Sequence, residues 1–306
     1  MRPLASAPAA EAPGDVAGRR LGDRLIHPVG IGCLPMSTRA DRDEARAIRT
    51  IHAALDAGVD LLDTADSYAR DEAEFGHNER LIARALRTSA HRRRALVATK
   101  GGHTRRGDDW DLDGRPEHLR AACEGSLRRL GVDRIDLYQF HRPDPRVPFE
   151  ESVGALRDLR DEGKVRWVGI SNVDRAQIAS ACRIVEIAAV QNELSPGFPH
   201  PLANGELAAC ARDGIAFLPW SPFGGIGVAG DLGADRVLRR VADAHGVSPH
   251  RVVLAWLLAR SPVMVPIPGA SRPETALDCA QAPAVRLAED EVEALAALYA
   301  SGASSA

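Results

Sequence analysis

Short apolar runs alternate along this chain with stretches whose apolar residues recur every three or four positions. The runs lie near residues 27, 60, 95, 135, 166, 188, 215 and 263, and a helix-spaced segment follows each. An apolar run without polar alternation reads as a strand covered on both faces, as in a parallel sheet. Over 41–57, Ala45, Ile48, Ile51, Ala54 and Leu55 share one helical face, and Gly58 ends the pattern. Over 116–131, Pro116 opens and Gly131 closes a helix, the usual asymmetry of helix ends. Further helices are expected over 78–86, 150–162, 174–182, 202–213, 234–245, 249–259 and 289–299, with another starting at 273. The first strand is placed over 24–31 and the eighth over 263–268. Eight strand–helix units with no break in composition predict a (β/α)8 barrel, a single domain over 21–306. A doubly wound open sheet is the rival, but no G-x-G-x-x-G follows the first strand. Residues 1–20, rich in Ala and Pro, are expected to be a disordered tail, without the apolar core of a signal peptide.

Composition narrows the class. At 306 residues, with 45% apolar and 26% charged positions, the chain has the make-up of a globular enzyme. No apolar run approaches the roughly 20 residues that span a bilayer. The five cysteines (Cys33, Cys123, Cys182, Cys210, Cys279) are odd in number, scattered, and form no C-x-x-C pair. This weighs against a disulfide framework and a metal site, and points to a reducing cytoplasm. The net charge is −3, and the only basic runs are HRRR at 91–94 and TRR at 104–106. These read as solvated surface, so no nucleic-acid or membrane partner is expected. Nothing here fixes an oligomeric state.

The polar residues that end successive strands carry the chemistry. Asp63 with Tyr68, then Lys100, then His141 terminate three consecutive strands, so they can converge at one barrel mouth. Taken alone, Asp63 is equally a helix cap and Tyr68 a packing residue. Together they make a coherent set. A tyrosine ionises near pH 10, so it needs a neighbouring cation to stabilise its phenolate. Lys100 supplies that charge, and Asp63 can hold the ammonium by a charge-assisted hydrogen bond. His141 can orient a substrate oxygen. The set lacks a serine- or cysteine-type nucleophile pair and metal-ligand spacing. It suits protonation of an oxygen while another group delivers hydride.

The four residues in this order resemble the catalytic tetrad of the aldo-keto reductases. The strings DTADSY, VATKGG, DLYQFHRPD, GKVRWVGISN, AAVQNELSP, PWSPFGG and PIPGASRPE are similar to that family's blocks and run from about residue 20 to about 300. The resemblance implies NAD(P)H-dependent reduction of an aldehyde or ketone to an alcohol. Tyr68 would be the acid, Lys100 and Asp63 its tuning pair, and His141 the carbonyl-orienting residue. Ser171, Asn172 and Gln191 match contacts to the nicotinamide carboxamide, and Trp220 matches an aromatic stacked on that ring. Gly32 and Cys33 at the first strand end would also touch the cofactor, and the glycine-rich loop 221–230, with Ser221, Pro222, Phe223 and Gly225, would wrap its pyrophosphate. Gly269, Ser271, Arg272 and Asp278 would meet the adenosine end.

That end departs from the family pattern, with Gly269 where a lysine is common, Thr275 where an arginine is common, and Cys279 where an amide is common. Arg272 is its one cation, which favours NADPH through a 2′-phosphate contact and leaves NADH open. Two alternatives stand beside the reductase: a cofactor-binding scaffold resembling channel-associated β subunits, and a lyase using Lys100 as a Schiff-base amine. The substrate is a small-molecule carbonyl. The segments 33–36, 102–115, 142–148 and 194–201 are expected to select it. The stretch 102–115 is polar, with Arg105, Arg106, Asp108, Asp109 and Trp110, which fits a sugar-like carbonyl or simply a mobile lid. The closing helix ends near Tyr299 with SGASSA after it, so an open pocket without a long C-terminal flap is expected.

Overall fold

Seven parallel strands follow one another around the sheet in chain order. They are β1 (Ile31–Gly32), β2 (Leu61–Asp63), β3 (Leu96–Gly101), β4 (Ile135–Phe140), β5 (Val165–Ser171), β6 (Ile187–Gln191) and β7 (Ala216–Phe217). The computed structural model describes residues 17–225 and 227–302. Residues 1–16, most of the expected tail, and the last four residues lie outside that range. Arg19 and Arg20, assigned to the tail from sequence, already belong to a strand, Arg19–Leu21.

The eighth strand closes the barrel without a regular ladder. Phe217 bridges Met264 and Gly32 bridges Gly269, both in parallel. Val265 and Ile267 donate to Phe217 and Pro219 on one side, while the carbonyls of Pro266 and Pro268 accept from Gly30 and Gly32 on the other. The two prolines fall where their N–H groups would face β1, so half of that ladder cannot form. At the same seam a Cβ on Gly32 would lie 2.9 Å from the Ile267 carbonyl oxygen. The barrel is a (β/α)8 barrel, as the alternation of patterns implies.

The expected strand over 24–31 is two elements. Arg24–Ile26 pairs antiparallel with Arg19–Leu21 in a hairpin, and Ile31–Gly32 enters the barrel. Leu21 and Ile26 of the hairpin pack with Leu61, Leu96, Leu137, Trp167 and Val265, which fill the barrel interior. The larger apolar cluster lies between the strands and the surrounding helices.

Local signals place the helices well. Glu44–Asp56 begins where the Asp43 carboxylate accepts from the Arg46 N–H, and Pro116–Leu130 ends at Gly131 with φ +68°. The helix expected over 202–213 is broken into His200–Ala203 and Glu206–Asp213, because Gly205 takes φ +89°. The stretch 102–115, expected as a loop, contains a hairpin of His103–Arg106 and Asp109–Leu112. Among the described residues no helix is long and apolar enough to cross a membrane.

Candidate active site

β2 ends at Asp63, and the turn that follows returns Tyr68 to the same mouth, its N–H donating to the Ala65 carbonyl. β3 carries Lys100, and His141 stands directly after β4, held by its N–H to Gly101. The Lys100 ammonium donates to Asp63 Oδ1 and Oδ2 at 2.9 and 2.8 Å, to the Thr64 carbonyl at 2.8 Å and to the Tyr68 hydroxyl at 3.0 Å. Lys100 is wholly buried. Burial works against its charged form, yet the Asp63 carboxylate and the Tyr68 hydroxyl outweigh it, and its pKa lies above the ordinary lysine value. A lysine so protonated and so engaged is not a free amine, which removes the Schiff-base alternative.

Burial raises the Tyr68 phenol above its usual value; the Lys100 ammonium opposes that rise and Asp63 adds to it. The phenol therefore stays protonated at neutral pH, with a cation in place to take up charge as its proton leaves. His141 is pushed well below the usual histidine range by burial, then by His103, Lys100 and Arg142. Its imidazole is neutral at pH 7, and its Nδ1 is buried without a partner.

One cavity of about 440 Å³ brings most of the expected residues together. Asp63, Tyr68 and His141 line it beside Ser171, Asn172 and Gln191. Trp220, Ser221, Pro222, Phe223 and Gly225 form the opposite side, and Gly32 and Gly269 meet at the barrel seam. Four expected cofactor residues are not in this lining. Cys33 is fully buried, its thiol donating to the Ile31 carbonyl, with burial raising its pKa. Ser271 and Arg272 lie beyond the cavity. Asp278 is already committed: its Oδ1 accepts from Arg251 Nε at 3.0 Å and its Oδ2 from Ser248. It is therefore unsuited to receive an adenine amino group.

Further lining residues come from the stretches 102–115 and 142–148, expected from the sequence to select the substrate. His103 and Trp110 face the cavity from the hairpin, and Arg142 follows His141. The His103 ring centroid lies 4.2 Å from that of His141, in an edge-on arrangement, and 5.4 Å from Trp110. Burial, with Arg142 and Lys100, takes His103 down to about 4. Its position three residues after Lys100 was visible, but nothing in a polar stretch announced a hairpin folded over the mouth.

The lining fits a nicotinamide dinucleotide. Trp220 offers a flat ring whose buried Nε1 has no partner. Gly224 and Gly225 take φ of +82° and +94°, and Ser221 takes +49°, so this turn can present main-chain N–H groups to anionic oxygens. The amides are less free than expected. Asn172, at φ +59°, donates to the His141 carbonyl and Ser171 Oγ while its Oδ1 accepts from Arg142. The Gln191 side-chain amide donates to Asp63 at 2.9 Å, leaving its Oε1 without a hydrogen bond among the described residues. Gln191 thus ties the cofactor side of the cavity to the tetrad.

The sequence matches the family model described as "Aldo/keto reductase family" over residues 28–300. It is 37% identical over 281 residues to a 6-dehydroglucose reductase of Novosphingobium aromaticivorans, covering 88% of this chain and 91% of that one. It is 33% identical to probable aldo-keto reductase 1 of Glycine max, covering 87% and 84%. Among solved structures it resembles a glycerol dehydrogenase from Gluconobacter oxydans, with a TM-score of 0.80 at 26% identity over 94% and 97% of the chains. An aldo/keto reductase from Klebsiella pneumoniae in complex with NADP and acetate matches with a TM-score of 0.79 at 25% identity over 93% and 95%. With the match running across nearly every strand and helix described above, the chain belongs to the aldo/keto reductase family.

Proposed function

We propose that this protein reduces the carbonyl group of a sugar-derived aldehyde or ketone with NADPH, and that Tyr68 donates the proton. The observation that carries the reading is the four-way engagement of the Lys100 ammonium by Asp63, Thr64 and Tyr68. A carbonyl oxygen seated between Tyr68 and His141 accepts the phenolic proton as its carbon is reduced. The C=O becomes CH–OH, and the phenolate left behind faces a buried ammonium. Neutral His141 orients that oxygen without competing as an acid. Bound NADPH supplies the hydride, and Trp220, Ser171, Asn172 and Gln191 would hold its nicotinamide end. Arg272 would meet the 2′-phosphate.

The sugar assignment draws on the named substrates of two relatives, 6-dehydroglucose and glycerol, both polyhydroxylated. The intact tetrad beside an open cavity disfavours a purely structural scaffold. The scattered cysteines support work in a reducing cytoplasm, within one barrel domain from residue 21 onward. The test is NADPH and NADH oxidation against a panel of carbonyl compounds, glyceraldehyde and hexose aldehydes included. Failure to turn over any of them, or full activity in Tyr68→Phe, would overturn the reading.

A further inference from the structure

A second cleft of about 470 Å³ adjoins the catalytic cavity, and Leu34 and Trp110 line both. Ala69 and Arg70, the residues directly after Tyr68, line the second cleft as well. Its charged residues are Arg70 and Arg105 against Asp71 and Asp108, two of each sign.

Trp110 is fixed in this position. The Arg105 guanidinium lies 4.3 Å from its ring centroid and is itself buried, donating to the carbonyls of Ala69 and Arg70. His103 meets the same ring from the hairpin. Despite both contacts Trp110 remains 45% exposed. Arg70 and Asp108 are exposed, and neither side chain has a hydrogen bond or ion pair among the described residues. An anchored indole with unpaired donors and acceptors around it is the chemistry that recognises a sugar ring, through its C–H face and its hydroxyls. The balance of charge disfavours an anion and favours a neutral polyol.

Space points the same way. The inner cavity of about 440 Å³ must hold the nicotinamide end of the cofactor as well as the reacting carbonyl. The two spaces meet at Leu34 and Trp110, so a group attached to the reacting sugar that passes Trp110 enters the outer cleft. We propose that the outer cleft is a second sugar subsite, so that the preferred substrate is a glycoside whose terminal ring bears the carbonyl. Trp110 separates the reacting ring from the ring that follows. This rests on the reductase reading above.

The experiment compares two methyl glycosides, a hexose and a disaccharide, each oxidised to the C6 aldehyde on its terminal ring, with glyceraldehyde as the reference. The expected kcat/KM is about tenfold higher for the disaccharide than for the hexose, chiefly through KM, the worth of one stacked ring or a pair of hydrogen bonds. Arg70→Ala and Asp108→Ala are expected to bring that ratio down by about threefold each. Turnover of glyceraldehyde with equal efficiency on the two glycosides overturns the subsite and leaves the reductase standing. So does a preference that both variants retain in full. No turnover of any of the three overturns both.

Discussion

The Lys100 ammonium stands 3.0 Å from the Tyr68 hydroxyl, inside a protein interior where neither side chain has appreciable contact with solvent. The same ammonium is gripped by both Asp63 oxygens, which fix its position beside the phenol. Burial keeps the proton on the phenol, and the cation makes its departure affordable only when a carbonyl oxygen is there to receive it. An acid that holds its proton until substrate arrives is what reduction of a carbonyl requires.

Removing the hydroxyl tests this directly. Tyr68→Phe keeps the ring and its packing, so the fold and the cofactor site should persist. The expected loss in kcat/KM for carbonyl reduction is about 10²–10⁴-fold, the usual worth of a positioned acid. NADPH affinity, followed by quenching of protein fluorescence, should change far less. A variant within tenfold of wild type would remove Tyr68 from the role.

Lys100 also stabilises the fold by compensating Asp63. Lys100→Met leaves a carboxylate that is 2% exposed facing Gln191 without its cation. Breaking a buried pair from one side costs about 3–5 kcal/mol, and urea unfolding should show a loss of that order. Adding Asp63→Asn removes the stranded charge, so the double variant should recover part of the loss. A single variant as stable as wild type would contradict the pairing.

Much of this architecture was legible because strands buried on both faces and amphipathic helices write different periods into the chain. Asp174 and Gly131 mark helix ends in the sequence and in the structure alike. What escaped was set by geometry between distant residues. The eighth strand was legible over 263–268, but not that Pro266 and Pro268 would close the barrel through their carbonyls alone. The hairpin at 103–112 is built from two strands of only four residues, HTRR and DWDL, too short and too polar to stand out as a strand pair. The tetrad was visible because each member ends a strand. His103 lay in a stretch expected to select the substrate, but its contact with His141 had no sign in the sequence, and Asp278 looked available because its partner Arg251 lies on another helix.

The two stacked histidines give the protein a pH-dependent stability. His103 is lowered to about 4 and His141 is also lowered, both first by burial. Unfolded, each takes up a proton near pH 6.5. Between that value and the folded values the unfolded chain binds more protons, so stability falls as pH falls, by up to about 1.4 kcal/mol per pH unit for each histidine. Above pH 7 the contribution is complete and constant. Melting temperatures measured from pH 7.5 to 4.5 should decline, and His103→Gln should flatten the decline. An unchanged slope in that variant would assign the effect elsewhere.

The proposed preference for NADPH rests on Arg272. It precedes the helix Pro273–Ala280, is exposed, and its side chain has no hydrogen bond or ion pair among the described residues. Arg251, the nearby alternative, is spent on Asp278 through Nε and a terminal nitrogen at 3.0 and 2.6 Å. A guanidinium with all its donors free can take a 2′-phosphate through two parallel hydrogen bonds, a contact that NADH does not offer. Arg272→Ala should therefore weaken NADPH binding by about 1.5–3 kcal/mol, roughly ten- to a hundredfold in Kd, and leave NADH binding unchanged. Arg272→Lys should recover part of the affinity, since it keeps the charge and loses the paired geometry. Because phosphate contacts are screened by salt, the NADPH preference of the wild type should also narrow as ionic strength rises. Titration of both cofactors into the three proteins separates the cases: equal losses for NADPH and NADH in Arg272→Ala would move the phosphate contact away from this residue.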